Sequence, residues 1–275
     1  MSVPDRDRGD RGDRRDRGDR HAEPPPTLPP RPPGSPSRAI TAGGYSRPLP
    51  GFVECGDAFL IERADGAERN ERNERNDLSD RNERKDRNHR SGGGEDRDLG
   101  LGGTLLVAVV DGLGHGSEAS IAAQAATRTV LGHRELPLDQ ILRHCDQQLH
   151  PTRGAAMAVL RLEADGRGEF CGVGNIEVQS LAGQPAGLFC LPGIVGHSVR
   201  ALRTMPFTMQ SGDIYCLHTD GVSSRGNLRG CLPGAPQSVA RCIVDSWGRP
   251  HDDATALVLG YGAGAKLPAG ARVPG

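Results

Sequence analysis

The chain has 275 residues, of which 34 are Lys or Arg and 35 are Asp or Glu, for a formal net charge of −1. Such balance excludes the broad positive field with which proteins gather nucleic acid or anionic membranes, and no run approaches the about 20 apolar residues of a membrane helix. Hydrophobic residues make up 35% and aromatics only 3%, below the globular average, so the core has to be concentrated in part of the chain.

Residues 1–20 alternate Asp and Arg with Gly and lack the apolar stretch of a secretory signal. Residues 24–36 (PPPTLPPRPPGSP) are proline-rich, hence extended and solvated, with the PxxP spacing that aromatic-lined grooves accept. Neither stretch can bury enough apolar surface to offset the entropy of ordering. Residues 1–48 are therefore expected to be a disordered leader.

A first strand is expected at 51–63 (GFVECGDAFLIER). Residues 68–98 then repeat Glu-Arg-Asn units with no apolar face. They read as a low-complexity insertion, at about 64–102, in a domain spanning 49–262. Its balanced charge argues against a patch that tracks RNA phosphates.

The continuous apolar run TLLVAVV at 104–110 predicts a strand buried on both faces. An Ala-rich helix follows at 117–131, with Ser117 as its N-cap and Gly132 beyond its end. A second helix at 137–150 places Leu138, Ile141, Leu142, Cys145 and Leu149 on one face. Strands are expected at 155–163, 168–173 and 176–181, separated by Asp165-Gly166 and Gly174-Asn175 turns. A strand at 213–219, a helix at 236–247 and a strand at 254–261 complete the domain, and 263–275 form a flexible tail. This order lacks the regular alternation of a parallel doubly wound sheet. It predicts an α+β fold, a layered α-β-β-α sandwich of two mostly antiparallel sheets flanked by helices.

Seven dispersed cysteines (55, 145, 171, 190, 216, 231 and 242) form no CxxC pair. They read as reduced residues packed as small hydrophobes. With no export signal, the protein is expected in the cytoplasm.

Four aspartates sit in or beside predicted strands: Asp57, Asp111, Asp220 and Asp252. Asp111 and Asp220 each end a β run and precede a glycine. A lone Asp-Gly is an ordinary turn; four carboxylates so placed can converge, and converging carboxylates repel unless a hard cation lies between them. All-oxygen ligands favour Mg²⁺ or Mn²⁺ over Zn²⁺.

The motifs ECGDAF (54–59), VVDGLGHG (109–116), RGAAMAVL (153–160), GVGNI (172–176), HTDGV (218–222) and HDDATALVLG (251–260) resemble, in order, those of the PPM metal-dependent protein phosphatases, and most of all their SpoIIE-type branch. The resemblance covers residues 51–63 and 103–262. It implies hydrolysis of phosphoserine or phosphothreonine by a water activated between two Mn²⁺ or Mg²⁺ ions. Asp111 matches the bridging aspartate, the Gly112 carbonyl a backbone ligand, and Asp57, Asp220 and Asp252 further ligands, with Asp253 as a secondary candidate. It further implies a phosphorylated signalling protein as partner, a stressosome or anti-sigma-antagonist protein of STAS type, and a monomeric enzyme acting away from membranes.

The sequence departs from the larger members of the family at two positions. Leu113 stands where they carry a histidine two residues after the bridging aspartate; His115, placed similarly to the histidine of many SpoIIE-type motifs, is either the candidate general acid or a residue packed near the helix start. Their phosphate-binding arginine has no counterpart near Asp57; Arg153 is the best stand-in for binding substrate phosphate, the alternative being a solvated loop residue. The alternative reading is a non-catalytic module that keeps the fold without the metals, and metal binding separates the two.

Overall fold

A computed structural model describes residues 39–64 and 103–262. Among the described residues nine strands and three helices run in the order β1 (Ile40–Arg47), β2 (Asp57–Ala64), β3 (Thr104–Gly112), α1 (Ser117–Gly132), α2 (Leu138–Leu149), β4 (Ala155–Leu162), β5 (Arg167–Val173), β6 (Glu177–Ala182), β7 (Met205–Thr208), β8 (Ile214–His218), α3 (Pro236–Trp247) and β9 (Ala254–Tyr261). They form two sheets, one ordered β1-β9-β8-β6 and the other β2-β3-β4-β5-β7. Every strand pair within them is antiparallel.

The layering follows from which face each side chain takes. Along β3, Leu105, Val107 and Val109 point into an inter-sheet core shared with Phe170, Tyr215, Leu217, Leu257 and Leu259. The alternate residues Leu106, Ala108 and Val110 pack with Ala123, Ile141 and Leu142 of α1 and α2. On the other sheet, Cys216, Ala256 and Val258 meet Val239 and Ile243 of α3. Both faces of each sheet are thus covered, which is why β3 reads as an unbroken apolar run. The order is helix, sheet, sheet, helix, as expected. The five residues assigned to one face of α2 are all fully buried. Among the described residues no helix is long and apolar enough to cross a membrane.

Several expectations need correction. Residues 40–47, assigned to the leader, form β1, which pairs with β9 from Ile40↔Tyr261 to Arg47↔Ala254. Its sequence hides this because it carries glycines where bulk is forbidden. A Cβ on Gly43 would overlap the Gln237 backbone of α3, and one on Gly44 would overlap the Phe59 ring. The strand expected over 51–63 begins only at Asp57. Ser117 is the first helical residue rather than the cap; Gly116 takes the cap position at φ 74°, and Gly132 lies inside the last turn. Strand β7 was unforeseen because it has four residues with Pro206 among them; it is an edge strand paired only with β5, where a missing donor is tolerated. Cys231 and Cys242 are joined in a disulfide between the 3₁₀ turn at Leu228–Cys231 and α3, against the expectation that every cysteine is reduced. Residues 1–38 of the leader, the insertion over 65–102 and the tail lie outside the described residues. The insertion's two flanking strands pair directly, with Ala64 opposite Thr104.

The position of β1 yields a first prediction. Deleting residues 1–38 should leave the thermal midpoint and small-ester hydrolysis unchanged. Deleting 1–48 should lower the midpoint sharply, because it strips the β9 edge and the surface on which α3 packs. Melts of the two truncations check this; equal midpoints would contradict it.

Candidate metal centre

The aspartates are delivered to one end of the sandwich by both sheets. Asp57, the first residue of β2, lies directly opposite Asp111 near the end of β3. Asp220 follows β8, and Asp252 and Asp253 precede β9, the neighbour of β8. Glycines let the backbones close around them: a Cβ on Gly112 would strike the Ala119 carbonyl, and one on Gly221 the Asp253 carbonyl.

Asp57 is 6% exposed and its Oδ2 accepts from Thr219 Oγ1 at 2.8 Å, while Thr219 Oγ1 accepts from Thr255 N at 3.1 Å. Asn175 Nδ2 donates to Asp111 Oδ2 at 3.2 Å and to Asp220 Oδ2 at 2.8 Å, bridging carboxylates from the two sheets. Asp253 is 2% exposed; its Oδ1 accepts from Leu49 N at 2.8 Å, but its Oδ2 is buried without a hydrogen-bond partner. Asp252 is less buried and its Oδ1 accepts the Asp253 amide at 3.0 Å.

Electrostatics show the strain of this gathering. Burial first, and the Asp111 charge second, hold the Asp57 carboxyl well above the usual range. Burial and then Asp220 push Asp111 up to about 7. Asp252 is likewise raised by burial and by Asp220. Among the described residues none of these five aspartates is in an ion pair. Burial and the Asp57 charge also push the Cys55 thiol up, so it is a neutral neighbour of the cluster.

Among the described residues no three His, Cys, Asp or Glu side chains close into a ready-made cage. The acids stand in linked pairs, Asp57 opposite Asp111 and Asp111 joined to Asp220 through Asn175. The donor set nevertheless fits a hard divalent ion: it is all oxygen, in mutual repulsion, with an orphaned buried carboxylate oxygen, and the Arg249 charge lowers Asp252 without overcoming burial and Asp220.

The remaining candidates lie to one side. The exposed His115 ring stands edge-on to Phe52 at 4.9 Å between centroids, and none of its described contacts is with the aspartates. Arg153 pairs with Glu118 at the start of α1. It lies over Gly114, three residues beyond Asp111, and lines an open groove of about 560 Å³ with Leu113, Gly114, Thr152 and His197. Sequence reasoning passed over Asn175 and Thr219. Both stood inside motifs (GVGNI and HTDGV) where a turn residue and a strand end account for them equally well.

Residues 102–262 match the family model of stage II sporulation protein E (SpoIIE). Over 122 residues the chain is 28% identical to the phosphoserine phosphatase RsbX of Bacillus subtilis strain 168, covering 43% of this chain and 61% of that protein. The chain thus spans about three fifths of that curated relative. Among solved structures, a chain from the bacterial stressosome, a modular system adapted to control secondary messenger signalling, superposes with a TM-score of 0.63 at 26% identity, covering 80% of this chain and 98% of that one. RsbX in complex with magnesium superposes at 0.59 with 20% identity, covering 81% and 96% respectively, a likeness of fold.

Proposed function

The chain belongs to the SpoIIE family of PPM protein phosphatases, and from that premise we propose that it removes phosphate from phosphoserine or phosphothreonine on a bacterial signalling protein. The observation that carries this reading is the meeting of Asp57 and Asp111 from one sheet with Asp220 from the other, none of them in an ion pair among the described residues. Asp57, Asp111, Asp220 and Asp252, with the Gly112 carbonyl and Asp253 as a secondary ligand, would hold two Mn²⁺ or Mg²⁺ ions. When bound, such ions supply charge to the phosphoryl oxygens and acidify water to a nucleophile.

The chain's own residues arrange the site. Thr219 engages only Oδ2 of Asp57 and Asn175 only Oδ2 of Asp111 and Asp220, so each carboxylate keeps its Oδ1 for a ligand. Arg153, held by Glu118, offers its remaining N–H groups to the groove, where a phosphoryl oxygen accepts them. His115, whose ring stands against Phe52, is the candidate to protonate the leaving serine oxygen. As substrate we propose a phosphorylated STAS-type protein of a stressosome or anti-sigma-antagonist pathway, met by a monomeric enzyme in the cytoplasm.

The test is phosphate release from a serine-phosphorylated STAS protein, with chelator and with added Mn²⁺. Release that depends on Mn²⁺ is expected. No release from that protein, with release from a small phosphate ester, would overturn the substrate. No release from either would overturn the activity.

A further inference from the structure

Residue Asn175 lies in the connection between β5 and β6, where the chain passes from one sheet to the other. Its neighbours fix it there. Gly174 has φ 100°, and a Cβ on it would overlap Ala156, the residue opposite Asp111 on β4. The Gly174 amide donates to the Leu191 carbonyl at 2.9 Å. On the other side Ile176 is 3% exposed in the inter-sheet core, and its carbonyl accepts from Cys190 Sγ at 3.2 Å. A turn clamped on both sides by packing presents an amide whose position is set before any ligand arrives.

That amide is used on two carboxylates at once, Asp111 of one sheet and Asp220 beyond the other. Both acids are only partly buried and would swing apart under their mutual repulsion if nothing joined them. We infer that Asn175 is a positioning residue, which holds Asp111 and Asp220 at a fixed separation with their Oδ1 atoms free and so preorganises the divalent-cation site. The inference rests on reading the acids as a metal centre. It assigns Asn175 no contact with the cation and no step in hydrolysis. Outer partners that orient metal ligands are worth about 10- to 100-fold in affinity, and an effect of that size is expected here.

The experiment is calorimetric titration of Mn²⁺ into the full-length wild type, Asn175→Ala and Asn175→Asp, with thermal melts of each in chelator. Wild type should bind, and Asn175→Ala should bind about tenfold or more weakly with a metal-free midpoint close to wild type. Small-ester hydrolysis by Asn175→Ala should recover at saturating Mn²⁺, which a disturbed fold would not allow. Asn175→Asp adds a third carboxylate to the pair, so its metal-free midpoint should fall and Mn²⁺ should raise it more than in wild type. Unchanged or tighter Mn²⁺ binding by Asn175→Ala would overturn the inference, the latter by showing that the amide competes with the cation. So would an unshifted metal-free midpoint for Asn175→Asp. If wild type itself takes up no Mn²⁺, the metal centre is what fails, an outcome distinct from equal binding by wild type and variant.

Discussion

Replacing Asp111 by Asn should reduce Mn²⁺-dependent phosphatase activity by about a hundredfold or more while leaving the protein folded. Asp111 faces Asp57 across the β2–β3 ladder and shares the Asn175 amide with Asp220. It is therefore the acid through which the charges of the two sheets are coupled. The amide side chain keeps the shape and one carbonyl oxygen, so packing is undisturbed, but the charge that a cation would balance is gone. The metal-free variant should also melt no lower than the wild type near neutral pH, since a buried repulsion has been removed. Lost activity with a retained or higher midpoint is the expected pair of results. Activity within a few-fold of wild type would rule out the centre, and a collapsed midpoint would show that Asp111 serves the fold instead.

Much of this arrangement was readable in the sequence, for physical reasons that vary by element. The residues of β3 and β9 announce themselves because both faces of each strand are covered, so the apolar run is unbroken. The buried face of α2 shows in its helical spacing. By contrast, β1 exchanges bulk for close approach at Gly43 and Gly44, and a strand built to admit its neighbours leaves little apolar signal. Strand β7 is too short, with a proline, to read as a strand at all. The Cys231–Cys242 pair depends on how the 3₁₀ turn meets α3, a tertiary fact that spacing alone does not encode. At the site, the acids were found through their position at strand ends. What escaped was the organisation between them. Asn175 and Thr219 act through single hydrogen bonds across distant segments, 64 and 162 residues apart from Asp111 and Asp57 respectively, and no local pattern records such a bond. Likewise, His115 satisfies a motif by its spacing, yet its ring turns to Phe52.

Stability of the chelator-treated protein should fall as pH rises from 5 to 7.5, and Mn²⁺ should reverse that trend. Asp111 is raised to about 7 by burial and by Asp220, and Asp57 and Asp252 are raised in the same direction. Between the ordinary carboxylate range, near 4, and about 7, the folded state therefore holds protons that the unfolded chain has already released. Stability then decreases with pH across that window. It is greatest where all three acids are protonated and least where the site is fully charged. A divalent cation binds only the charged form, so it adds most stability where the metal-free protein is weakest. Below about 7 it must displace protons, and its affinity should drop by about tenfold per pH unit for each proton displaced. Melts at both pH values, with chelator and with Mn²⁺, decide the matter, and Asp111→Asn should show a shallower decline than the wild type. Burial holds His218 below the usual imidazole range and so works in the opposite direction, which makes the comparison with the variant decisive. A pH dependence in the wild type no different from that of Asp111→Asn would mean that the acids are not held together in a low-dielectric cluster, and the centre proposed at the end of the sandwich would lose its physical basis.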